Sequence, residues 1–182
     1  MNRLTNKSKL TSYLLDGDIQ LFLFIYTKVR CRVLDLLMPY ITNFGGARIS
    51  ISLGVLLILS NTAGSFQLGW ELLIALGSSH LLVQIIKRLA NRVRPYKRLE
   101  EIGEIKITPF EAYSFPSGHT TASFCWATLF SFYLPEYSLI FITLASLVGI
   151  SRVYLGVHYP SDVVIGAMIG FLFSYVSHFL IF

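Results

Sequence analysis

The sequence predicts an all-α bundle of membrane-spanning helices, and three observations carry that prediction. Of 182 residues 54% are hydrophobic and only 14% are charged, with a mean hydropathy of +0.62. A soluble chain carries about 25% charged residues, so this one has too little charge to solvate its surface. The apolar residues fall in runs approaching the roughly 20 that cross a bilayer. Those runs do not alternate apolar with polar, as the strands of a closed barrel would, and helices are the other structure that satisfies the backbone in lipid.

Five spans follow in order within a single domain of residues 1–182. The first, Ile49–Thr62, is short and closes at the break Asn61–Gly64, whose polar residues and glycine interrupt the apolar pattern. Leu68–Ile86 is the second. Thr120–Leu134 and Ser138–Ile150, the latter continuing to Leu155, are divided by Pro135–Glu136. Val163–Phe182 is the last. The N-terminal region, residues 1–47, is less regular, because Ile19–Phe44 carries Lys28, Arg30, Arg32 and Asp35 in its middle. Two amphipathic halves at the interface would keep those charges wet, whereas a spanning helix would have to bury or snorkel them. Both readings stand.

The formal charge of +5 might point to nucleic acid, but the location of the cations argues otherwise. Seven of the fifteen lie between Lys87 and Lys106, beside predicted membrane segments, which suits anionic headgroups or phosphates at a bilayer surface and excludes a nucleic-acid partner. Cys31 and Cys125 form no ligand spacing, so neither a disulfide nor a metal site is expected. Arg3, Lys7 and Lys9 precede a polar run with Asp16 and Asp18 rather than a cleavable apolar core, so no secretory leader is expected.

When each span reverses the direction of the last, four helix ends fall on one side. They bring Lys87, Arg94 and Pro95; Pro116, Ser117, Gly118 and His119; and Ser151, Arg152, His158 and Asp162. Three cations suit a phosphate, whose charge spreads over three oxygens during transfer and needs fixed positive partners. An arginine adds a planar fork that grips two oxygens. Lys87 and Arg94, seven apart, share a face if the helix continues past the membrane. Ser117-Gly118-His119 stands at a helix entry, where free amides and the dipole favour an anion and glycine lets it approach the backbone. His119 is therefore placed to protonate a departing alkoxide. Asp162 lies four residues beyond His158, with Pro160 tolerated in a first helical turn, so the carboxylate can orient the imidazole as a nucleophile.

Those three segments, Lys87-(six residues)-Arg94-Pro95, Pro116-Ser117-Gly118-His119 and Ser151-Arg152-(five residues)-His158-(three residues)-Asp162, together resemble the signature of the type 2 phosphatidic acid phosphatase (PAP2) family. That family shares its fold with the vanadium haloperoxidases. The resemblance spans Lys87 to Asp162 and implies a metal-independent phosphohydrolase without a cofactor. It implies that His158 attacks phosphorus to give a phosphohistidine, that His119 protonates the leaving group and then activates water, and that Asp162 orients the nucleophile. Lys87, Arg94, Arg152, Ser117 and the Gly118 amide would hold the phosphate. Such a site, ringed by cations, repels a divalent metal.

The resemblance also implies a membrane lipid phosphate as substrate. A glycerophospholipid phosphate such as phosphatidylglycerophosphate or phosphatidic acid ranks first, then undecaprenyl diphosphate and lipid A. The implied location is the bacterial inner membrane with the site on its outer face; with six spans both termini would be cytoplasmic. Three rival functions use the same residues differently: a vanadate-dependent oxidase, a lipid-phosphate transporter or flippase, and a non-catalytic scaffold. Other polar residues read as structural: His80 as a packed contact, His178 as remote, and Cys125 as core. Arg88 and Arg92 read as snorkelling cations, and Glu111 with Glu100, Glu101 and Glu104 as solvated loop charges.

Overall fold

The computed structural model describes residues 9–60, 62–99, 102, 107, 109 and 111–181, with the backbone alone at 9–15 and 181. Arg3, Lys7, Glu100, Glu101, Glu104 and Lys106 lie outside the described residues. Among the described residues eight α-helices follow one another: α1 Lys9–Lys28, α2 Arg32–Ile41, α3 Ala47–Leu59, α4 Ala63–Ala90, the single turn α5 Pro95–Arg98, α6 Gly118–Tyr133, α7 Ser138–Tyr154 and α8 Pro160–Val176. No strand occurs among the described residues; an isolated bridge pairs Val93 with Tyr113.

The expected helical membrane bundle is what forms, and among the described residues the candidate spans are of unequal length. Three segments, Ala63–Ala90, Pro135–Tyr154 and Pro160–Leu180, are long and apolar enough to cross a membrane by themselves. A fourth is a bent pair, Arg32–Gly45 with Ala47–Leu59, which changes direction by 49°. The helix α6, at 16 residues, is shorter than a full span and sits among α4, α7 and α8, which shield it. A short helix enclosed by longer ones need not match the bilayer by itself.

Backbone proximity holds α6 against α8. A Cβ on Gly166 would stand 2.7 Å from the Ser117 carbonyl oxygen, and one on Gly170 2.4 Å from that of Thr121. The spacing Gly-x-x-x-Gly therefore lets two helices meet backbone to backbone, as close-packed membrane helices do. At the same crossing the Ser117 amide donates to the Asp162 carbonyl at 3.0 Å, tying the entry of α6 to that of α8. Away from it Leu68, Leu72, Ala75, Cys125, Trp126, Leu129 and Ala145 fill one apolar core.

The charged N-terminal segment divides between two elements. Asp18 bonds Ser161 at the start of α8, Phe22 meets Tyr159 at 5.7 Å between ring centroids, and Cys31 bonds Tyr154 at the end of α7. These partners share one end of the bundle, so α1 packs against that end, while α2 belongs to the bent pair. Phe22 and Tyr26 there join Ile102, Val153 and Tyr159 in a second apolar cluster.

The other end carries a buried carboxylate that the sequence reading passed over. Glu71 accepts hydrogen bonds from Gln67 and Tyr133 on Oε1, at 2.9 and 2.8 Å, and its Oε2 lies 2.8 Å from His178 Nδ1. His178 is thus remote from the opposite end, as expected, yet far from idle. Cys125 is fully buried, as expected of a core residue, whereas His80 is exposed beside Gln84 rather than packed, because it faces outward on α4.

The glycine contact generates a stability prediction. Gly170→Ala should cost about 1–3 kcal/mol through overpacking, measured as a lower melting temperature of the detergent-solubilised protein. Gly77→Ala, where an added Cβ meets nothing within 4 Å, should leave it unchanged or raised.

Candidate active site

Lys87 ends α4, and the chain turns just beyond it. Asn91, in the left-handed conformation with φ 46°, donates its amide to the Lys87 carbonyl and stops the helix. Arg94 is consequently on extended backbone, so it does not share a helix face with Lys87 as the sevenfold spacing had suggested. The two side chains converge instead through their lengths. Both are almost fully buried, at 2% and 1% exposure.

The carboxylate of Glu111 lies at their meeting point. Lys87 Nζ is 2.5 Å from Glu111 Oε2, Arg94 Nη2 is 4.0 Å from that oxygen, and Gln84 donates to Oε1. Partial burial by itself would raise the Glu111 carboxyl, but Lys87, Gln84 and Arg94 outweigh it and hold it below its ordinary value. Glu111 is thus part of the site rather than a solvated loop charge. No local pattern marks it, because its partners come from α4 and the turn after it.

Arg94 uses its whole fork. Nε donates to the Glu111 carbonyl and Nη1 to the Val157 carbonyl, each at 2.9 Å, while Nη1 stands 3.2 Å from His158 Nε2. A guanidinium has no acceptor, so the geometry makes Nε2 the lone-pair nitrogen and leaves the proton on Nδ1. Burial, then the charges of Arg152, Arg94 and Lys87, hold the His158 imidazole well below its ordinary value, against the raising effect of the Ser114 backbone. The ring is neutral at physiological pH. Its Nδ1 faces Asp162 Oδ2 at 3.4 Å, an electrostatic contact rather than a formed hydrogen bond.

The turn carrying His158 is fixed locally. Gly156 takes φ 80°, which a residue with a side chain adopts rarely, and the Val157 and His158 amides reach back to the Arg152 carbonyl. Pro160 opens α8, as expected, and the Asp162 carboxylate accepts the Tyr159 amide at 2.9 Å, capping the helix. Arg152 ends α7 and donates Nη1 to Thr42 at 2.7 Å, while its buried Nε has no protein partner.

Ser117 caps α6 and accepts from Thr120 Oγ1 at 2.9 Å, which leaves its own hydroxyl proton available as a donor. Gly118 is the first residue of the helix and His119 the second. Burial, then the charges of Arg152, His158 and Lys87, push the His119 imidazole down to about 2 against the raising effect of Glu111, so the ring holds an extra proton only when an anion offsets those cations. All eight residues singled out in the sequence therefore meet at one end of the bundle. Arg92, read there as a snorkelling cation, is bound to Asp162 and Asp18. Among the described residues no three histidine, cysteine, aspartate or glutamate side chains form a group that would hold a metal ion.

A helical membrane bundle whose buried cations and imidazoles converge at the ends of four chain segments defines a class of membrane protein with its charge gathered at one end. The sequence model of the PAP2 superfamily matches residues 68–182, more than half of the chain, and the chain belongs to that superfamily. It is 31% identical over 156 residues to a lipid A 1-phosphatase from Rhizobium etli, covering 75% of this chain and 67% of that one. The fold is similar to the crystal structure of Aquifex aeolicus LpxE, with a TM-score of 0.76 and 29% identity, covering 87% of this chain and 93% of that one. It is also similar to the PAP2-type phosphatidylglycerolphosphate phosphatase of Bacillus subtilis, with a TM-score of 0.74 and 27% identity, covering 92% and 85%.

Replacing the fork tests its use. Arg94→Lys keeps the charge but loses donors that point in fixed directions, so kcat/KM for a lipid phosphate should fall at least about tenfold, the scale of one charge-assisted hydrogen bond. Activity within twofold of wild type would show that the fork grips nothing.

Proposed function

We propose that this protein hydrolyses the phosphate of a membrane lipid through a phosphohistidine on His158. The observation that carries the reading is His158 Nε2, held 3.2 Å from Arg94 inside a ring of buried cations. Metal-free chemistry is supported by that ring, since Lys87, Arg94 and Arg152 supply the positive charge a phosphoryl group needs. Ser117 and the Gly118 amide add neutral donors at the entry of α6.

The incoming phosphate takes over the Arg94 donation, which frees the Nε2 lone pair. The phosphate's negative charge offsets the cations and lets His119 take up a proton as it binds; a bond then forms from Nε2 to phosphorus as the bond from phosphorus to the lipid oxygen breaks, and His119 gives that proton to the departing alkoxide. Asp162 stabilises the positive charge on the ring through Nδ1. Neutral His119 then takes a proton from water, whose oxygen attacks phosphorus. Inorganic phosphate leaves and His158 is restored.

The headgroup enters from the end where α1 lies, while the tail stays in lipid. A glycerophospholipid phosphate is the substrate we favour, supported by likeness to the Bacillus subtilis enzyme. Lipid A 1-phosphate is the second reading, favoured by likeness to the Rhizobium etli and Aquifex aeolicus proteins. By the same family likeness we place the site on the outer face of a bacterial inner membrane.

A panel of purified phosphatidylglycerophosphate, phosphatidic acid, undecaprenyl diphosphate and lipid A, with free phosphate measured in EDTA, tests the function. Release should persist with EDTA and stop with orthovanadate. His158→Ala should lower it by at least about a thousandfold, the scale of losing a nucleophile, and His119→Ala should slow leaving-group expulsion. Undiminished release by purified His158→Ala would refute the assignment, and lipid movement without any phosphate release would indicate a transporter.

A further inference from the structure

We propose that Asp18 and Arg92 are positioning residues for His158, acting through Asp162; the inference rests on the reading of His158 as nucleophile. The Arg92 guanidinium lies 4.0 Å above the Tyr159 ring and is shared between two carboxylates. Its Nη1 donates to Asp162 Oδ1 at 2.6 Å and to Ser161 Oγ at 2.7 Å, and its Nη2 donates to Asp18 Oδ2 at 2.5 Å. Asp18 also accepts the Ser161 amide on Oδ1 and the Ser161 hydroxyl on Oδ2. It thereby serves as a cap for α8 supplied by a different helix, where a carboxylate also meets the positive end of the dipole. Side-chain exposure is 9% for Asp18, 15% for Arg92 and zero for Asp162, so the array is shielded from water.

The charge arithmetic explains why two carboxylates share one arginine. Arg92 with Asp162 alone would be a neutral pair facing His158. Adding Asp18 leaves the triad with a net charge of −1, on the side of the ring away from Lys87, Arg94 and Arg152. That remaining negative charge favours the cation formed when Nε2 bonds to phosphorus. Geometry works in the same direction, since Oδ1 is held by Arg92 and Oδ2 by the Tyr159 amide, so the carboxylate cannot rotate away from Nδ1. Asp18 lies outside residues 68–182, in the helix that packs against the catalytic end.

The test is a double-mutant cycle on the full-length protein in detergent, with phosphate release as the readout. Asp18→Asn should lower kcat about fivefold or more, the scale of coupling within one hydrogen-bond network, with KM within twofold because the phosphate ligands are untouched. In an Asp162→Asn background the same change should alter kcat by less than twofold. Arg92→Gln should act like Asp18→Asn but more strongly, and Arg92→Lys should recover part of the loss. If the Arg92 variants fail to fold, the nearly isosteric Asp18→Asn decides. Its kcat remaining within twofold of wild type, or its effect persisting in full without the Asp162 charge, would overturn the proposal. A wild-type protein that releases phosphate from no lipid in the panel would sink the functional reading, and this proposal with it. An active wild type with an unaffected Asp18→Asn would sink the proposal alone.

Discussion

The site depends on two helix entries being locked together. Ser117 begins α6 and Asp162 lies in the first turn of α8, and the amide of one donates to the carbonyl of the other at 3.0 Å. Such a bond is possible only because Gly166 and Gly170 let the backbones approach within a distance that a methyl group would occupy. The glycine and histidine of one motif are thereby set in register with the histidine and aspartate of another. Direct backbone contact transmits little slack, unlike contact through long side chains, and catalytic groups tolerate misplacement poorly.

Around that fixed point the structure gathers an excess of positive charge. Lys87, Arg94 and Arg152 are nearly buried, and burying a cation is costly unless it is paired or hydrogen-bonded. Protein groups meet that cost only in part. Glu111 bonds Lys87, carbonyl oxygens of Glu111 and Val157 accept from Arg94, and Thr42 accepts from Arg152, whose Nε is left over. A pocket of this kind is organised for an anion before one arrives, so little rearrangement is required on binding. Glu111 stands on the same cations that a phosphate would use and is therefore a built-in counter-ion.

Much of this was legible in sequence because it depends on long-range order of a simple kind. Apolar runs fixed the bundle, alternation of direction brought Lys87, His119, Arg152 and Asp162 to one end, and spacing placed Pro160 in a first turn. The errors have physical causes. Asn91 in a left-handed conformation ended α4 early and moved Arg94 off the helix, a backbone choice that asparagine permits without announcing. Glu111 looked like a solvated charge and Arg92 like a snorkelling one, because each finds its partner across a large sequence separation. Glu71 was missed among apolar neighbours, since burial of a carboxylate depends on His178 and Tyr133 arriving from the other end of the chain. Charged residues in Ile19–Phe44 left spanning and interfacial forms open, and the packing of Asp18 and Phe22 against α8 and its approach depends on partners more than a hundred residues away.

The knot around Glu71 has a consequence for the molecule as a whole. It lies sixteen residues before Lys87 on one continuous helix, about 24 Å at the usual rise, and draws α4, α6 and the C-terminal turn together. One pole of the molecule is thus tied shut around its own acid while the other holds the buried cations. With its buried cations gathered at a single pole, the bundle offers an anion one side of approach, and the tied acid at the far end keeps that asymmetry built into the fold.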